Sequence, residues 1–138
     1  MNEDYFSYFN REDLNPPALP DQIRLVQEQL GIKFPDQYID FLLYSNGFEG
    51  FIGESYISIW KIDELISLNE EYAVKEFAPY LVLIGSNGGE EVYAFDTRRT
   101  DLPIVVTPFT GIGIEEKLIA HSFAEFIENS FNPAFDDY

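Results

Sequence analysis

Apolar residues recur at helical spacing near the start of the chain. Ile23, Val26 and Leu30 stand three or four positions apart, between Pro20 and Gly31. Proline is favoured in the first turn of a helix and glycine just past its end. The pattern therefore predicts an amphipathic helix from Pro20 to Leu30.

A second segment repeats this design. Pro35 stands at its start, Asn46-Gly47 ends it, and Tyr38, Phe41 and Leu42 supply the apolar stripe between them. In both segments an aspartate follows the proline, where it faces the positive end of the helix dipole. The sequence predicts two helices joined by a short loop, and not a solenoid repeat.

Residues Phe51–Trp60 are rich in aromatic and β-branched side chains, with Ile57 and Ile59 on one face of the alternating pattern. This pattern predicts one β-strand, and we expect Trp60 to lie in the core. Asp63 is expected to cap the helix that follows.

Two apolar segments, Tyr80–Ile84 and Val92–Phe95, flank a glycine-rich turn. Because Asn87-Gly88 can supply the positive φ angles of a tight turn, the two segments are predicted to form a β-hairpin. Ile104–Val106 is predicted as a further strand. The segment Ser122–Glu125 is typical of a capping box and predicts the start of a last helix.

The predicted elements follow the order helix, helix, strand, helix, hairpin, strand, helix. Such segregated runs favour an α+β fold in which an antiparallel sheet is covered by helices. The 138 residues fit a single domain, and 13 Phe, 9 Tyr and 1 Trp supply apolar area for its core. Pro16-Pro17 marks off an N-terminal arm, residues 1–18, whose aromatic side chains either dock on the core or form a motif for a partner. Docking is favoured because exposed aromatic side chains are costly in a soluble monomer.

The net charge of the chain limits the kinds of partner that this domain can bind. The chain has 25 acidic and 8 basic residues, which give a formal net charge of −17. This excess argues against binding to nucleic acid phosphates and to acidic membrane surfaces. The first residues lack the basic region of a secretory signal, and the longest aliphatic run, Leu81–Ile84, is far too short for a membrane helix. We therefore expect a cytoplasmic protein.

The composition excludes several classes of catalytic site. The chain has no Cys and a single His, His121, which excludes thiolate nucleophiles, Cys-ligated zinc and any site with two imidazoles. Residues Gly53–Ile57 lack the second glycine of a nucleophile elbow. His121 has no catalytic motif beside it, and we interpret it as a surface or interface residue.

The glycine-rich and acidic segments do not form ligand motifs. Gly85–Gly89 lacks the Lys-Ser/Thr ending of a phosphate loop and precedes Glu90-Glu91, which would repel phosphate. Neighbouring carboxylates on a strand point to opposite faces, so the acidic pairs form no catalytic dyad. No segment matches a calcium loop. The sequence predicts no enzyme activity, no cofactor and no metal.

Three groups of residues, taken in order, resemble one known family. They are Leu30-Gly31, Phe34-Pro35, Tyr38, Phe41-Leu42 and Asn46-Gly47; then Ile59–Leu65 with Asn69; then Ile84-Gly85, Gly88–Glu90 and Tyr93–Thr97. Together they are similar to the SUKH superfamily, of the Smi–Knr type. The resemblance covers Leu19 to Phe131 and implies a domain of residues 19–131, followed by a C-terminal tail of residues 132–138.

The resemblance implies an α+β fold with a mixed or antiparallel sheet and no enzyme activity. Bacterial members act as immunity proteins that bind cognate toxins, many of them nucleases, whereas fungal members resemble regulatory scaffolds of cell-wall synthesis. The charge agrees with the first role, because a nuclease presents Lys and Arg to phosphates. We therefore expect a non-catalytic immunity protein whose partner is a cognate protein toxin with a basic active-site surface. The alternative is an intracellular adaptor of the same fold with no toxin partner.

The residues that carry the resemblance are mostly turns and core, so candidate partner-binding residues come from charge and exposure alone. Glu90 and Glu91 lie beside the Asn87-Gly88 turn, and Glu115 and Glu116 follow a second glycine-containing loop. Side chains at loop ends protrude toward a partner. We expect these four carboxylates to meet the basic surface of the toxin. The alternative is that all four only keep the protein soluble.

Overall fold

The computed structural model describes residues 4–131, and in this part of the chain six strands form one antiparallel sheet. The strands are β1 (Phe48–Ile52), β2 (Ser55–Ile59), β3 (Leu81–Ser86), β4 (Glu91–Asp96), β5 (Ile104–Pro108) and β6 (Lys117–Ala120). The α-helices are α1 (Pro20–Leu30), α2 (Asp36–Tyr44), α3 (Leu65–Glu71), α4 (Val74–Phe77) and α5 (Phe123–Phe131). Each strand pairs with the next along the chain. The predicted single-domain α+β class is confirmed, and the sheet is antiparallel.

Helices α1 and α2 form where the apolar spacing predicts them. At the start of α1 the Leu19 N–H donates to Gln22 Oε1 at 2.9 Å. Gly31 adopts a left-handed conformation with φ 71° and ends this helix. After α2 the chain turns at Gly47 with φ 79°, where a Cβ would lie 2.6 Å from the carbonyl oxygen of Ile59. Both glycines are therefore required by the backbone.

The prediction of a single strand over Phe51–Trp60 is wrong, because the chain reverses within this segment. β1 and β2 form a hairpin with Phe51 opposite Tyr56, and the turn between them uses Gly53 at φ 62°. The buried positions shift by one across the two-residue turn, from Phe48 and Ile52 in β1 to Ser55, Ile57 and Ile59 in β2. The predicted strand began at Phe51 and held too few residues of β1 to show that shift.

Trp60 and Asp63 also differ from their predicted roles. Trp60 lies just beyond β2 and is half-buried, with its ring stacked on Tyr72 at 6.2 Å between centroids. It packs at the edge of the core and not inside it. Asp63 lies within a short 3₁₀ helix that precedes α3 and accepts a hydrogen bond from Asn46 Nδ2 at 3.0 Å. It ties the loop after α2 to this segment and does not cap α3.

Both faces of the sheet are covered. The larger core joins Tyr93 and Val106 to the buried sides of α1, α2 and α5. The smaller core, on the other face, joins Leu83 and Ala94 to Val74 of α4. Because alternate residues of β3, β4 and β5 enter different cores, these strands are apolar on both faces. This explains why their sequences are nearly continuous apolar runs.

The N-terminal arm docks on the larger core, which was the favoured of the two expectations. Tyr5 and Phe9 are only 2% and 4% exposed, and the Tyr5 hydroxyl donates to the carbonyl oxygen of Gln37 at 2.8 Å. Phe6 stacks on Tyr44 with 4.3 Å between ring centroids. The division into arm, domain and tail stays a prediction, and the predicted tail lies outside the described residues.

The β3–β4 hairpin, β5 and α5 form as predicted. Gly88 supplies a φ of 80° in the hairpin turn. At the start of α5, Ser122 Oγ accepts a hydrogen bond from the Glu125 N–H at 3.1 Å. The Glu125 carboxylate accepts from the N–H of His121 at 3.3 Å. The capping box therefore reaches one residue further back than its sequence pattern implies.

Two elements, α4 and β6, were not predicted. The four residues of α4 follow Ala73, which takes a left-handed conformation with φ 53° and separates this helix from α3. In β6 both Lys117 and Leu118 are exposed. Neither element has apolar residues at the regular spacing from which a helix or a strand is predicted.

Candidate partner-binding surface

Glu90 and Glu91 stand at a turn that is organised by one asparagine. Asn87 Oδ1 accepts hydrogen bonds from the N–H groups of Gly89 at 2.9 Å and of Glu91 at 3.2 Å. Asn87 Nδ2 also donates to Glu91 Oε1 at 3.4 Å. Glu91 is therefore half-buried and tied to its own turn, whereas Glu90 is exposed. At this turn Glu90 is the carboxylate that is presented to solvent.

Glu115 and Glu116 also differ from each other, because one carboxylate is exposed and the other forms an ion pair. Glu115 is exposed. Glu116 forms an ion pair with Arg98, and its side chain is only 19% exposed. The positive charge of Arg98 offsets part of the negative charge that Glu116 presents to a partner. Glu115 therefore offers the more accessible charge of this doublet.

Arg98 is held by two carboxylates and an aromatic ring. Its Nε donates to Asp96 Oδ1 at 3.0 Å and its Nη2 to Asp96 Oδ2 at 2.9 Å, while Nη2 also donates to Glu116. The guanidinium lies 3.9 Å from the centre of the Tyr80 ring. The hydrogen bonds from Arg98 hold the pKa of Asp96 below its usual range, and burial raises the pKa of the Tyr80 hydroxyl. This network joins the loop before β6 to the loop after β4.

The two predicted doublets are held by different partners, Asn87 for Glu91 and Arg98 for Glu116. Glu91 begins β4, whereas Glu116 reaches Arg98, which lies beyond the other end of the same strand. Glu90 and Glu115 remain as separate exposed charges. The role of the four carboxylates in partner binding stays a prediction.

Two apolar side chains that sequence reasoning missed are the most exposed large hydrophobic residues in the described part of the chain. Ile114 is 80% exposed and Phe77 is 64% exposed. They lie on adjoining backbone segments, since a Cβ placed on Gly113 would lie 3.3 Å from the carbonyl oxygen of Phe77. The sequence offered no local signal for them, because Leu65 and Phe126 also stand beside a glutamate and are fully buried.

A hollow of about 560 Å³ opens beside α4. It lies between the end of α1, α3, α4 and the start of β3. Apolar side chains such as Ile66, Val74 and Pro79 line it, together with the carboxylates of Glu70 and Glu76. Lys75 also lines the hollow, which can take an apolar group.

The residues considered for catalysis or ligand binding are dispersed. His121 is exposed ahead of α5, whereas Ser55 is buried at the start of β2. The glycine-rich segment from Gly85 forms the end of β3 and the hairpin turn. Within residues 4–131 there is no group of three or more side chains placed to hold a metal ion. None of the described helices has the length and apolar character that crossing a membrane requires.

Comparison with known sequences decides the family. The sequence model of the SMI1 / KNR4 family (SUKH-1) matches residues 17–129. The chain belongs to the SMI1/KNR4 family. The match runs from just before α1 into α5 and confirms the resemblance drawn from the ordered turn and core residues.

The chain is also similar to a curated relative, the uncharacterized protein YnaB of Bacillus subtilis (strain 168). The two are 39% identical over 84 residues, which cover 61% of this chain and 54% of YnaB. The chain thus spans about half the length of the curated relative that it matches.

Membership of the SMI1/KNR4 family accounts for the fold and not for the partner. Residues that carry the likeness, such as Phe34, Tyr38 and Phe41, are fully buried, and Gly31 and Gly47 set turns. Contacts with a partner must come from exposed side chains, and among the four candidate carboxylates only Glu90 is an exposed residue that also carries the likeness.

Proposed function

We propose that this protein is a non-catalytic immunity protein that neutralises a cognate bacterial toxin by binding it directly. Membership of the SMI1/KNR4 family is consistent with such a role. The observation that carries the proposal is the formal net charge of −17 on a chain of this family. A nuclease must present Lys and Arg to phosphates, and an acidic protein complements that surface. The expected partner is a toxin with a basic active-site surface, met in the cytoplasm.

The four candidate carboxylates have different parts in this proposal. Glu90 and Glu115 are exposed and meet basic groups of the toxin directly. Glu91 and Glu116 add to the negative field, but each also holds a loop, through Asn87 and Arg98 respectively. The loops keep their shape when the partner binds, so little conformational entropy is lost there.

Protection of cells tests the proposal. The toxin domain encoded beside the gene for this chain is expressed from an inducible promoter in a bacterial host, with and without this chain. We expect growth arrest without the chain and growth with it. The matched control is the same plasmid with a stop codon in place of Phe34, which lies before every strand of the sheet, so that no sheet is made. Equal growth with and without the wild-type chain contradicts an immunity role.

Stoichiometry separates binding from catalysis. The purified toxin is titrated with the purified chain, and its residual activity is measured at several incubation times. A binding inhibitor should give complete inhibition at equimolar ratio, with no further change over time. Progressive inactivation at a small fraction of equimolar would show enzyme action. Endogenous partners bound in cells that have no toxin gene would instead favour the adaptor of the same fold.

A further inference from the structure

We propose that the toxin docks its apolar contact residues on the surface around α4. This α4 surface consists of Phe77, Ile114 and the hollow of about 560 Å³ beside the helix. The proposal rests on the immunity function and adds which part of the chain holds the partner. The acidic residues attract the toxin, and the α4 surface keeps it bound.

The conformation of its loop keeps Ile114 exposed. Ile112, two residues earlier, is 6% exposed and enters the smaller core. Thr107 Oγ1 accepts a hydrogen bond from the Gly113 N–H at 3.1 Å and donates to the carbonyl oxygen of Gly111 at 3.4 Å. The loop is therefore fixed on its inner side while Ile114 points outward. A residue held in this way loses little conformational entropy when it is buried against a partner.

Phe77 is fixed in a similar way. Val74 and Ala78, on either side of it in the chain, are 4% and 0% exposed and belong to the smaller core. Gly113 packs against this segment, since a Cβ on that glycine would lie 2.9 Å from Ala78 Cβ. The fold thus presents an exposed aromatic and an exposed aliphatic side chain from two backbone segments that pack against each other at Gly113. Apolar residues presented in this way are typical of interface hot spots.

The charges around the α4 surface indicate its occupant. Exposed carboxylates of Glu76 and Glu115 adjoin the two apolar residues, and Glu70 lines the hollow. Two exposed cations oppose these three carboxylates: Lys75, which also lines the hollow, and Lys117, which follows Glu115 by two residues. With an acidic excess here and a formal net charge of −17 on the chain, a second copy of this protein would be repelled. The fitting occupant is a protein with an apolar centre ringed by Lys and Arg.

A pair of double variants tests the α4 surface. The first is Phe77→Ser with Ile114→Ser. The matched control is Phe51→Ser with Leu25→Ser, which also removes one exposed aromatic and one exposed aliphatic side chain, 54% and 51% exposed. The probe is the purified, catalytically inactivated toxin domain identified by the protection assay. Binding kinetics are measured at low and at high salt, and thermal melting confirms that both variants fold.

We expect the first variant to raise Kd by about thirtyfold or more, mostly through faster dissociation, and to do so equally at both salt concentrations. The control should bind like the wild type. If the wild type binds and protects while the two variants bind alike, the α4 surface is not the docking site, and the immunity function still stands. If the wild type neither binds nor protects, the function itself fails.

Site-specific photo-crosslinking gives a second readout that does not depend on a change in affinity. A benzophenone side chain is placed at position 114, with position 25 as the control, and the complex with the toxin domain is irradiated. An adduct with the toxin from position 114 and none from position 25 supports the proposal. Adducts from position 25 alone, or crosslinked dimers of this chain from position 114, overturn it.

Discussion

Tyr38 lies at the centre of the larger core, where its ring is well packed and its hydroxyl is not. The ring centroid is 5.0 Å from that of Phe34, 5.1 Å from Phe95 and 5.3 Å from Phe123. The hydroxyl oxygen is buried and has no hydrogen-bond partner among the described residues. Burial also raises the pKa of this hydroxyl above its ordinary value of 10.0, so it stays protonated. An unpaired buried polar group of this kind reduces stability.

We expect Tyr38→Phe to leave the free energy of unfolding unchanged or to raise it by about 1 kcal/mol, because it removes an unpaired hydroxyl and keeps the ring. The matched variant is Tyr5→Phe, which removes the hydroxyl that donates to Gln37 and should lower the free energy of unfolding by about 1 kcal/mol. Urea denaturation measures both. A loss of stability in Tyr38→Phe equal to that in Tyr5→Phe would show that the Tyr38 hydroxyl has a partner.

Arg98 is the residue at which stability should depend most clearly on pH. Its hydrogen bonds lower the pKa of Asp96 in the folded state, so this stabilisation is present above the ordinary carboxyl pKa and is lost as the pH falls through the lowered value. Arg98→Gln should therefore lower the denaturation midpoint at neutral pH. The difference from wild type should shrink as the pH falls below about 4, because Asp96 then takes up its proton and loses the charge that Arg98 stabilises.

Arg99→Gln is the control for this pH experiment. Arg99 lies 3.7 Å from Asp101 in an exposed ion pair, and such pairs contribute little to stability. Its denaturation midpoint should follow that of the wild type at every pH. If Arg98→Gln behaves like Arg99→Gln throughout, the Asp96 and Glu116 network does not stabilise the fold.

At the scale of elements, local residue signals made part of the fold predictable. α1 and the β3–β4 hairpin are bounded by residues with strong backbone preferences, such as Pro20, Gly31 and Gly88. The β1–β2 reversal was missed because the predicted strand began at Phe51 and included only the last two residues of β1, too few to show the shift of the buried positions at the turn. The unequal roles of Glu115 and Glu116 depend on Arg98, which is 18 residues from Glu116 in the chain. Only the folded chain brings that pair together.

Substitution of Gly85 tests the contact between β2 and β3. This contact joins the two hairpins of the sheet. A Cβ on Gly85 would lie 2.2 Å from the Ser58 carbonyl oxygen, and the backbone cannot move there without loss of pairing. Gly85→Ala should lower the free energy of unfolding by about 1–3 kcal/mol or more. The control Gly89→Ala, whose Cβ would lie 3.5 Å from Asn87 Oδ1, should change it by less than about 0.5 kcal/mol. Equal denaturation midpoints for the two variants would contradict this packing.

At the scale of the whole molecule, the proposed binding mode uses charge to attract the toxin and apolar contacts to hold it. The formal net charge of −17 gives a long-range field that speeds the encounter with a basic protein. Exposed carboxylates such as Glu90 and Glu115 shape that field near the loops. The apolar residues around α4 act only on contact, and their effect does not depend on salt. An immunity protein that must find its toxin quickly and release it slowly would use both.

The association rate with the toxin, measured across a salt series, tests the central claim most directly. The variant is Glu90→Gln with Glu115→Gln, and the control is Glu12→Gln with Glu128→Gln, which removes the same charge from two other exposed positions. We predict that the association rate of the wild type falls steeply with salt. The variant should associate at least about twofold more slowly than the control at low salt, with little change in dissociation. An association rate that responds neither to salt nor to these substitutions would show that the acidity plays no part in recognition.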